Sequence, residues 1–353
     1  MTAFEDLLTW RESATSGEAI AAALDAASRV PAAAVALLDS AERIVITGAG
    51  SSYYLAQSVA AVGREILGRT VVAAPLSELI LRPEGALVSA PRASGEPVVI
   101  ISRSGSTSEA VTVAEKMRAA GRQTIAFTCR ADSPLASIAG VTLVSPAGDE
   151  EAIVMTRSFA SMLALLLVVV AKIGRDDALA ADLGRAPERW QESVAAAAVG
   201  RRLGATDWSR VVILGGGPAF GIASEWGLKL TETSQVPTNA YEPLEFRHGP
   251  ISVCEPGMLI VGLVGGPGAG EEVAVVEEAA RLGATTWLIA RDEDEAKGST
   301  GEVSLIGGGL HPAARLPLLV HPAHALALGL ALTRGRDPDA PRHLGQVVIL
   351  GRE

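Results

Sequence analysis

Val98-Val-Ile-Ile-Ser102-Arg-Ser-Gly-Ser-Thr107 is an apolar, β-branched run that breaks into a loop of hydroxyls and glycine. A helical pattern of Ala, Val, Glu and Arg follows from Glu109. A short apolar run without polar alternation suits a strand covered on both faces, and strands separated by helices form parallel sheets. The same plan appears upstream, where Arg43–Gly48 leads into Thr47-Gly-Ala-Gly-Ser-Ser-Tyr53, and downstream in the strands Gln123–Thr128 and Val141–Ser145. Arg210–Gly215, Met258–Leu263, Thr285–Ala290 and Glu302–Ile306 repeat it at an offset of roughly 160 residues, the mark of a duplicated domain. Glu109-Ala-Val-Thr-Val resembles Glu271-Glu-Val-Ala-Val, and the two helices end at Gly121 and Gly283. The expected fold is α/β, with two tandem doubly wound parallel-sheet domains of flavodoxin-like type. The expected organisation is N-terminal helices over residues 1–34, a first domain over 35–175 and a helical linker over 176–200. A second domain over 201–335 and a tail over 336–353, with a short apolar run at Val347–Leu350, complete it.

The 353 residues are 48% hydrophobic and 20% charged, a globular composition. A net charge of −10 with no basic tract argues against general nucleic-acid binding. Cys129 and Cys254 are too few for a disulfide framework and lack metal-ligand spacing. The most apolar run, Met162–Ala171, sits between Arg157 and Lys172 and reads as a buried helix too short to cross a bilayer. The N-terminus, Met1-Thr2-Ala3-Phe4-Glu5-Asp6, lacks the basic start of a signal peptide, so a cytoplasmic, non-membrane protein is expected.

The two polar turns in the first half invite an anion. A phosphate needs close backbone approach, N–H donors at a helix start and short hydroxyls that can donate. Both turns provide these, and ligands on parallel sheets bind outside the carboxyl ends of the strands. Gly, Ser and Thr also serve as ordinary turn and cap residues, and one such loop alone would leave that reading open. Two on neighbouring strands favour anion binding. Gly48-Ala-Gly50 is not followed by the acidic residue of a dinucleotide fold, and there is no Walker pattern. In the second half, Val264-Gly-Gly-Pro-Gly-Ala-Gly270 has no hydroxyls, which implies one phosphate grip per chain.

A second constellation is Ser224-Glu-Trp-Gly-Leu-Lys229-Leu-Thr-Glu232-Thr-Ser, followed by Tyr241-Glu-Pro-Leu-Glu245-Phe-Arg-His248-Gly-Pro250. Lys229 and Glu232 are three apart on a predicted helix and share a face. Moving a proton between adjacent sugar carbons needs a base such as a carboxylate, and ring opening needs a second acid or base such as His. Taken singly, an i,i+3 Lys/Glu pair is more often a solvated surface feature, and a lone His by a turn is more often structural.

Together these motifs resemble the two-domain SIS (sugar isomerase) family, which includes the isomerase half of glucosamine-6-phosphate synthase and amino-sugar-phosphate deaminases and isomerases. The resemblance runs from about Ala41 to Leu350. It rests on Gly50-Ser-Ser-Tyr53, Ser102-Arg-Ser-Gly-Ser-Thr107, Met155-Thr-Arg-Ser-Phe159, Glu225-Trp-Gly-Leu-Lys-Leu-Thr-Glu232 and Glu245-Phe-Arg-His-Gly-Pro250. It implies that Ser102, Ser104 and Thr107, with the backbone of Arg103 and Gly105, hold a sugar 6-phosphate. Gly50, Ser51 and Ser52 are then sugar or phosphate contacts. Glu232 is the expected C1–C2 proton shuttle, and Lys229 orients a substrate hydroxyl. His248 assists ring opening across a homodimer interface. No metal or redox cofactor is implied, since only protons move.

Two departures narrow the expectation. The synthase's glutamine-hydrolysing domain is absent from this sequence, so glutamine-dependent amination is not expected of it. Gln346, in Pro341-Arg-His-Leu-Gly-Gln346, stands where the synthase has an imine-forming Lys, which leaves direct aldose–ketose isomerisation or isomerisation with loss of ammonia. Arg103 replaces a neutral residue of the synthase loop and is expected to reinforce phosphate binding. The alternatives are a non-catalytic phosphosugar sensor and, more distantly, an unrelated nucleotide-binding α/β protein. Which sugar phosphate is bound is not legible in the residues.

Overall fold

The computed structural model describes residues 3–87 and 95–349. Leu350, the last residue of the expected run Val347–Leu350, lies outside the described residues, as do 1–2, 88–94 and 351–353 of the expected segments.

Two five-stranded parallel sheets carry the fold. The first is built from β1 (Arg43–Gly48), β2 (Thr70–Pro75), β3 (Val98–Ile101), β4 (Thr124–Thr128) and β5 (Val141–Val144), in the order β2-β1-β3-β4-β5. The second is built from β6 (Arg210–Gly215), β7 (Thr238–Tyr241), β8 (Met258–Leu263), β9 (Thr285–Ala290) and β10 (Glu302–Leu305). Read from β7, its order β7-β6-β8-β9-β10 repeats the first. This is the doubly wound α/β fold, twice. The eight strands expected from the residues are all present. The two the residues did not announce, β2 and β7, are the edge strands beside β1 and β6.

The residues explain the central strands. Val98, Val99, Ile100 and Ile101 are at most 2% exposed, because helices cover both faces of the sheet. In the first sheet Val98, Ile100, Val113 and Met117 share a core cluster; in the second, Val212, Ile260, Val276 and Leu288 do.

The chain divides into two compact units. One, the first-sheet unit, comprises Glu18–Glu151, Arg157–Gly184 and the tail from Gly345. The other, the second-sheet unit, comprises the residues up to Gly17, Ala152–Thr156 and Arg185–Leu344. Between residues 177 and 203 the chain is helical, with a 3-10 turn at Ala186–Arg189 that accommodates Pro187.

The apolar run Met162–Ala171 lies inside a longer helix, Arg157–Gly174. That corrects the expectation from its length. Ser158, Phe159, Ala160 and Ser161 extend the run, and the 18-residue helix is long and apolar enough to cross a bilayer. The same holds for Leu316–Thr333; 78% and 89% of the two segments are buried in the structure.

Candidate functional site

In the first-sheet unit, β1 and β3 end side by side, since Val45 to Thr47 pair with Val98 to Ile100. Their strand-to-helix turns therefore open on the same sheet edge. After β1 the chain turns at Gly50 (φ 53°, ψ −127°), a left-handed conformation that favours glycine, and enters the helix Ser51–Leu67. Ser51 and Ser52 are buried in its first turn.

After β3, Ser102, Arg103 and Ser104 are 4–6% exposed. The loop is held from within and from β4. Gly105 N–H donates to Ser102 O at 3.1 Å and to Ser102 Oγ at 3.2 Å. Ser106 N–H donates to Ser104 Oγ at 3.2 Å, and Ser102 Oγ donates to Thr107 Oγ1 at 3.3 Å. Arg103 O receives Cys129 N–H and Thr128 Oγ1, both at 2.9 Å. Gly105 has φ 62°, and a Cβ there would overlap Ser133, so both the angle and the space call for glycine. Thr107 precedes the helix Ser108–Ala119 and accepts Val111 N–H at its carbonyl, while its side chain does not cap the first turn. The N–H groups of Gly50 and Ser104 donate to nothing among the described residues. The result is a rigid arc of hydroxyls and amides at two helix starts, the arrangement that favours an anion.

The Arg103 guanidinium has partners within the same unit. Its Nη1 pairs with Glu150 Oε1 at 3.3 Å, with both side chains buried, and its Nη2 donates to Gln346 O at 3.0 Å. Ser158 Oγ also donates to Glu150. Gln346 Nε2 donates to the carbonyls of Glu150 at 2.9 Å and Glu151 at 3.3 Å. Within Met155–Phe159, Thr156 and Ser158 are buried, and Arg157 donates to Asp149 O at 2.6 Å from Nη2 and 3.0 Å from Nε.

Lys229, Glu232 and His248 belong to the second-sheet unit. Lys229 and Glu232 lie on the helix Pro218–Ser234, which follows β6 through Gly217. They meet: Lys229 Nζ is 2.6 Å from Glu232 Oε2. This is no solvated surface pair, because the Lys229 side chain is 2% exposed. One turn back, the fully buried Glu225 brings Oε1 to 3.4 Å from the same ammonium. Glu225 was not singled out from the sequence, although its i,i+4 spacing to Lys229 was legible. A buried ammonium is costly to desolvate, and two carboxylates offset that cost. The structure does not join His248 to this group. His248 is exposed on the turn after Pro243–Phe246; its N–H donates to Glu245 O at 3.0 Å, and its ring bonds nothing among the described residues.

Fold and geometry define a duplicated, doubly wound α/β protein with polar strand-to-helix turns on one sheet and a buried Lys–carboxylate cluster by the other. The chain belongs to the SIS domain family, which it matches over residues 37–172 and 206–298. It is 28% identical over 341 residues to the glutamine–fructose-6-phosphate aminotransferase (isomerizing) of Pyrobaculum aerophilum, covering 92% of this chain and 54% of that protein. The chain thus spans about half the length of such aminotransferases. It is 30% identical over 338 residues to a Streptomyces coelicolor protein, AgaS, named for D-galactosamine-6-phosphate deaminase activity, covering 86% and 82%. The crystal structure of glucosamine-6-phosphate deaminase from Thermotoga maritima superposes with a TM-score of 0.77 at 26% identity, covering 97% of this chain and 99% of that one.

Proposed function

We propose that the chain is a cytoplasmic phosphosugar isomerase of the SIS family that moves a proton between C1 and C2 of a hexose or hexosamine 6-phosphate. The observation that carries this reading is the Lys229–Glu232 contact. Its carboxylate side chain is 20% exposed, and a cation buried behind it fixes its position. A base needs both properties: access to substrate and a held geometry.

In this reading Ser102, Ser104 and Thr107, with the Ser104 N–H, grip the phosphate, and Gly50, Ser51 and Ser52 complete the contacts. Gly105 N–H is turned inward to Ser102 and shapes the loop. Arg103, bound to Glu150 and to the tail carbonyl, braces the loop instead of meeting the phosphate directly. Glu232 removes the C2 proton of the open-chain aldose and returns it to C1. With a hydroxyl at C2 the product is the ketose. With an amine at C2 the product is a C2 imine, which water hydrolyses to ketose and ammonia. Gln346 has no nucleophilic amine and its amide is committed to two carbonyls, which favours direct isomerisation or deamination over an imine with the protein.

Incubation with glucosamine 6-phosphate, galactosamine 6-phosphate and fructose 6-phosphate, following ketose and ammonia, tests the reaction. Glu232→Gln is expected to lower turnover about 10²–10⁴-fold while phosphosugar binding persists. Turnover at the wild-type level would remove Glu232 from the role. Gln346 also favours a second reading, a non-catalytic phosphosugar sensor. Stabilisation by these ligands without turnover of any of them would select it.

A further inference from the structure

The first turns of the two sheets share their geometry. Gly50 (φ 53°, ψ −127°) and Gly217 (φ 52°, ψ −121°) each head a 17-residue helix. What the backbone donors meet is different. In the first-sheet unit, Gly50 and Ser104 N–H donate to nothing among the described residues. In the second-sheet unit, the chain's own carboxylates meet the equivalent turns. Gly217 N–H donates to both oxygens of Glu242, each at 3.3 Å. Gly265 N–H donates to Glu272 Oε2 at 3.2 Å, and Gly266 N–H donates to Glu295 Oε1 at 3.0 Å. A Cβ on Gly216 would collide with Glu272 Oε1 and lie 3.5 Å from Glu242 Oε2, so two of these carboxylates flank one glycine.

A buried cation lies against the same loop. Arg315 is 3% exposed; its Nη1 donates to Val264 O at 2.6 Å, and its Nε has no hydrogen-bond partner among the described residues. Backbone donors at the strand-to-helix turns favour an anion, as in the first unit, and here a buried guanidinium lies against the same loop.

We propose that the carboxyl edge of the second sheet is a phosphate-type anion cradle occupied by the chain's own side chains, Glu242, Glu272 and Glu295, which hold it shut to phosphate. A carboxylate on each amide takes the hydrogen bond that a phosphate oxygen would need, and its charge repels the incoming dianion. The three differ in how firmly they are held. Glu295 is clamped by Arg291, at 2.7 Å from Nε. Glu242 and Glu272 form no ion pair among the described residues, so these two are the removable stoppers. The duplicated chain thereby confines phosphate to one of its two sheets.

The test is calorimetric titration of inorganic phosphate into the full chain and into Glu242→Ala/Glu272→Ala at pH 8. The double variant is expected to bind one further phosphate per chain compared with the wild type. Ser104→Ala, introduced into both proteins, separates the two sites: it is expected to weaken the wild-type phosphate and leave the affinity of the additional one unchanged. A folded double variant, judged by circular dichroism, with unchanged phosphate stoichiometry overturns the proposal. If the double variant does not fold, the single variants Glu242→Ala and Glu272→Ala decide. Each is expected to show a larger phosphate-dependent rise in Tm than the wild type, and a rise no larger than the wild type's in both overturns the proposal.

Discussion

Burial pushes the Glu272 carboxyl up to about 7; Glu242 and Glu295 add to the effect, while the Gly265 N–H and the Arg315 charge oppose it. A carboxyl that protonates more readily folded than unfolded destabilises the fold as pH rises from about 4.5 to about 7. The penalty is complete above that window and absent below it. Glu272→Gln is therefore expected to be more stable than the wild type at pH 8, by on the order of 1–3 kcal/mol, and level with it near pH 4.5. Urea titrations at both pH values measure the difference. A gap that does not grow with pH would contradict the assignment. Other single residues were only half legible in advance. Arg103 reads in sequence as a loop residue whose cation reinforces phosphate binding; the partners its guanidinium has, Glu150, 47 residues away, and the tail carbonyl of Gln346, were not legible. No local spacing encodes such a partner.

The central strands are legible as elements because each is buried on both faces and so is apolar throughout. Of the four edge strands, β5 and β10 are legible but β2 and β7 are not. Within β7 (Thr238-Asn-Ala-Tyr) no residue is fully buried, and β2 begins with an exposed Thr70 and ends in Pro75. With a neighbour on only one side, their residues need not be continuously apolar, and the sequence pattern fades. The first α-helix shows another form of tertiary control. Leu8–Ala14 has no local side-chain cap, since Leu7 cannot provide one. Asp339 does so from the far end of the sequence. It accepts from Leu8 N–H at 2.7 Å, Thr9 N–H at 2.9 Å and Thr9 Oγ1 at 2.6 Å. Asp339→Ala is expected to cost about 1–2 kcal/mol, the value of an N-cap, and to lower Tm with the strand content unchanged. A melting curve that overlays the wild type would show the cap to be dispensable.

For the whole molecule, the homodimer that the family resemblance implies makes a quantitative claim. His248 is exposed and its ring bonds nothing among the described residues, which suits a side chain presented to a partner. If His248 serves the partner's substrate, a chain carrying Glu232→Gln complements one carrying His248→Ala. Refolding the two inactive variants together at equal amounts gives half heterodimers, each with one intact site, and so about a quarter of wild-type activity. Activity no higher than that of the separate variants would place His248 in its own chain's chemistry or outside it.

The residues by themselves determined the doubly wound α/β fold, its duplication, and the membership of Ser102–Thr107 and Lys229–Glu232 in two distinct motifs. Those features are local: strand burial, glycine turns and helical spacing all write themselves into a few consecutive residues. Only the tertiary structure decided which charges are buried together. It turned the Lys229–Glu232 pair from a surface feature into a buried cluster with Glu225, drew Arg103 to Glu150 and the tail, and set three glutamates on the glycine amides of the second sheet. Most of these contacts join residues far apart in the chain. The cost of burying charge, which depends on packing and not on sequence order, selected them.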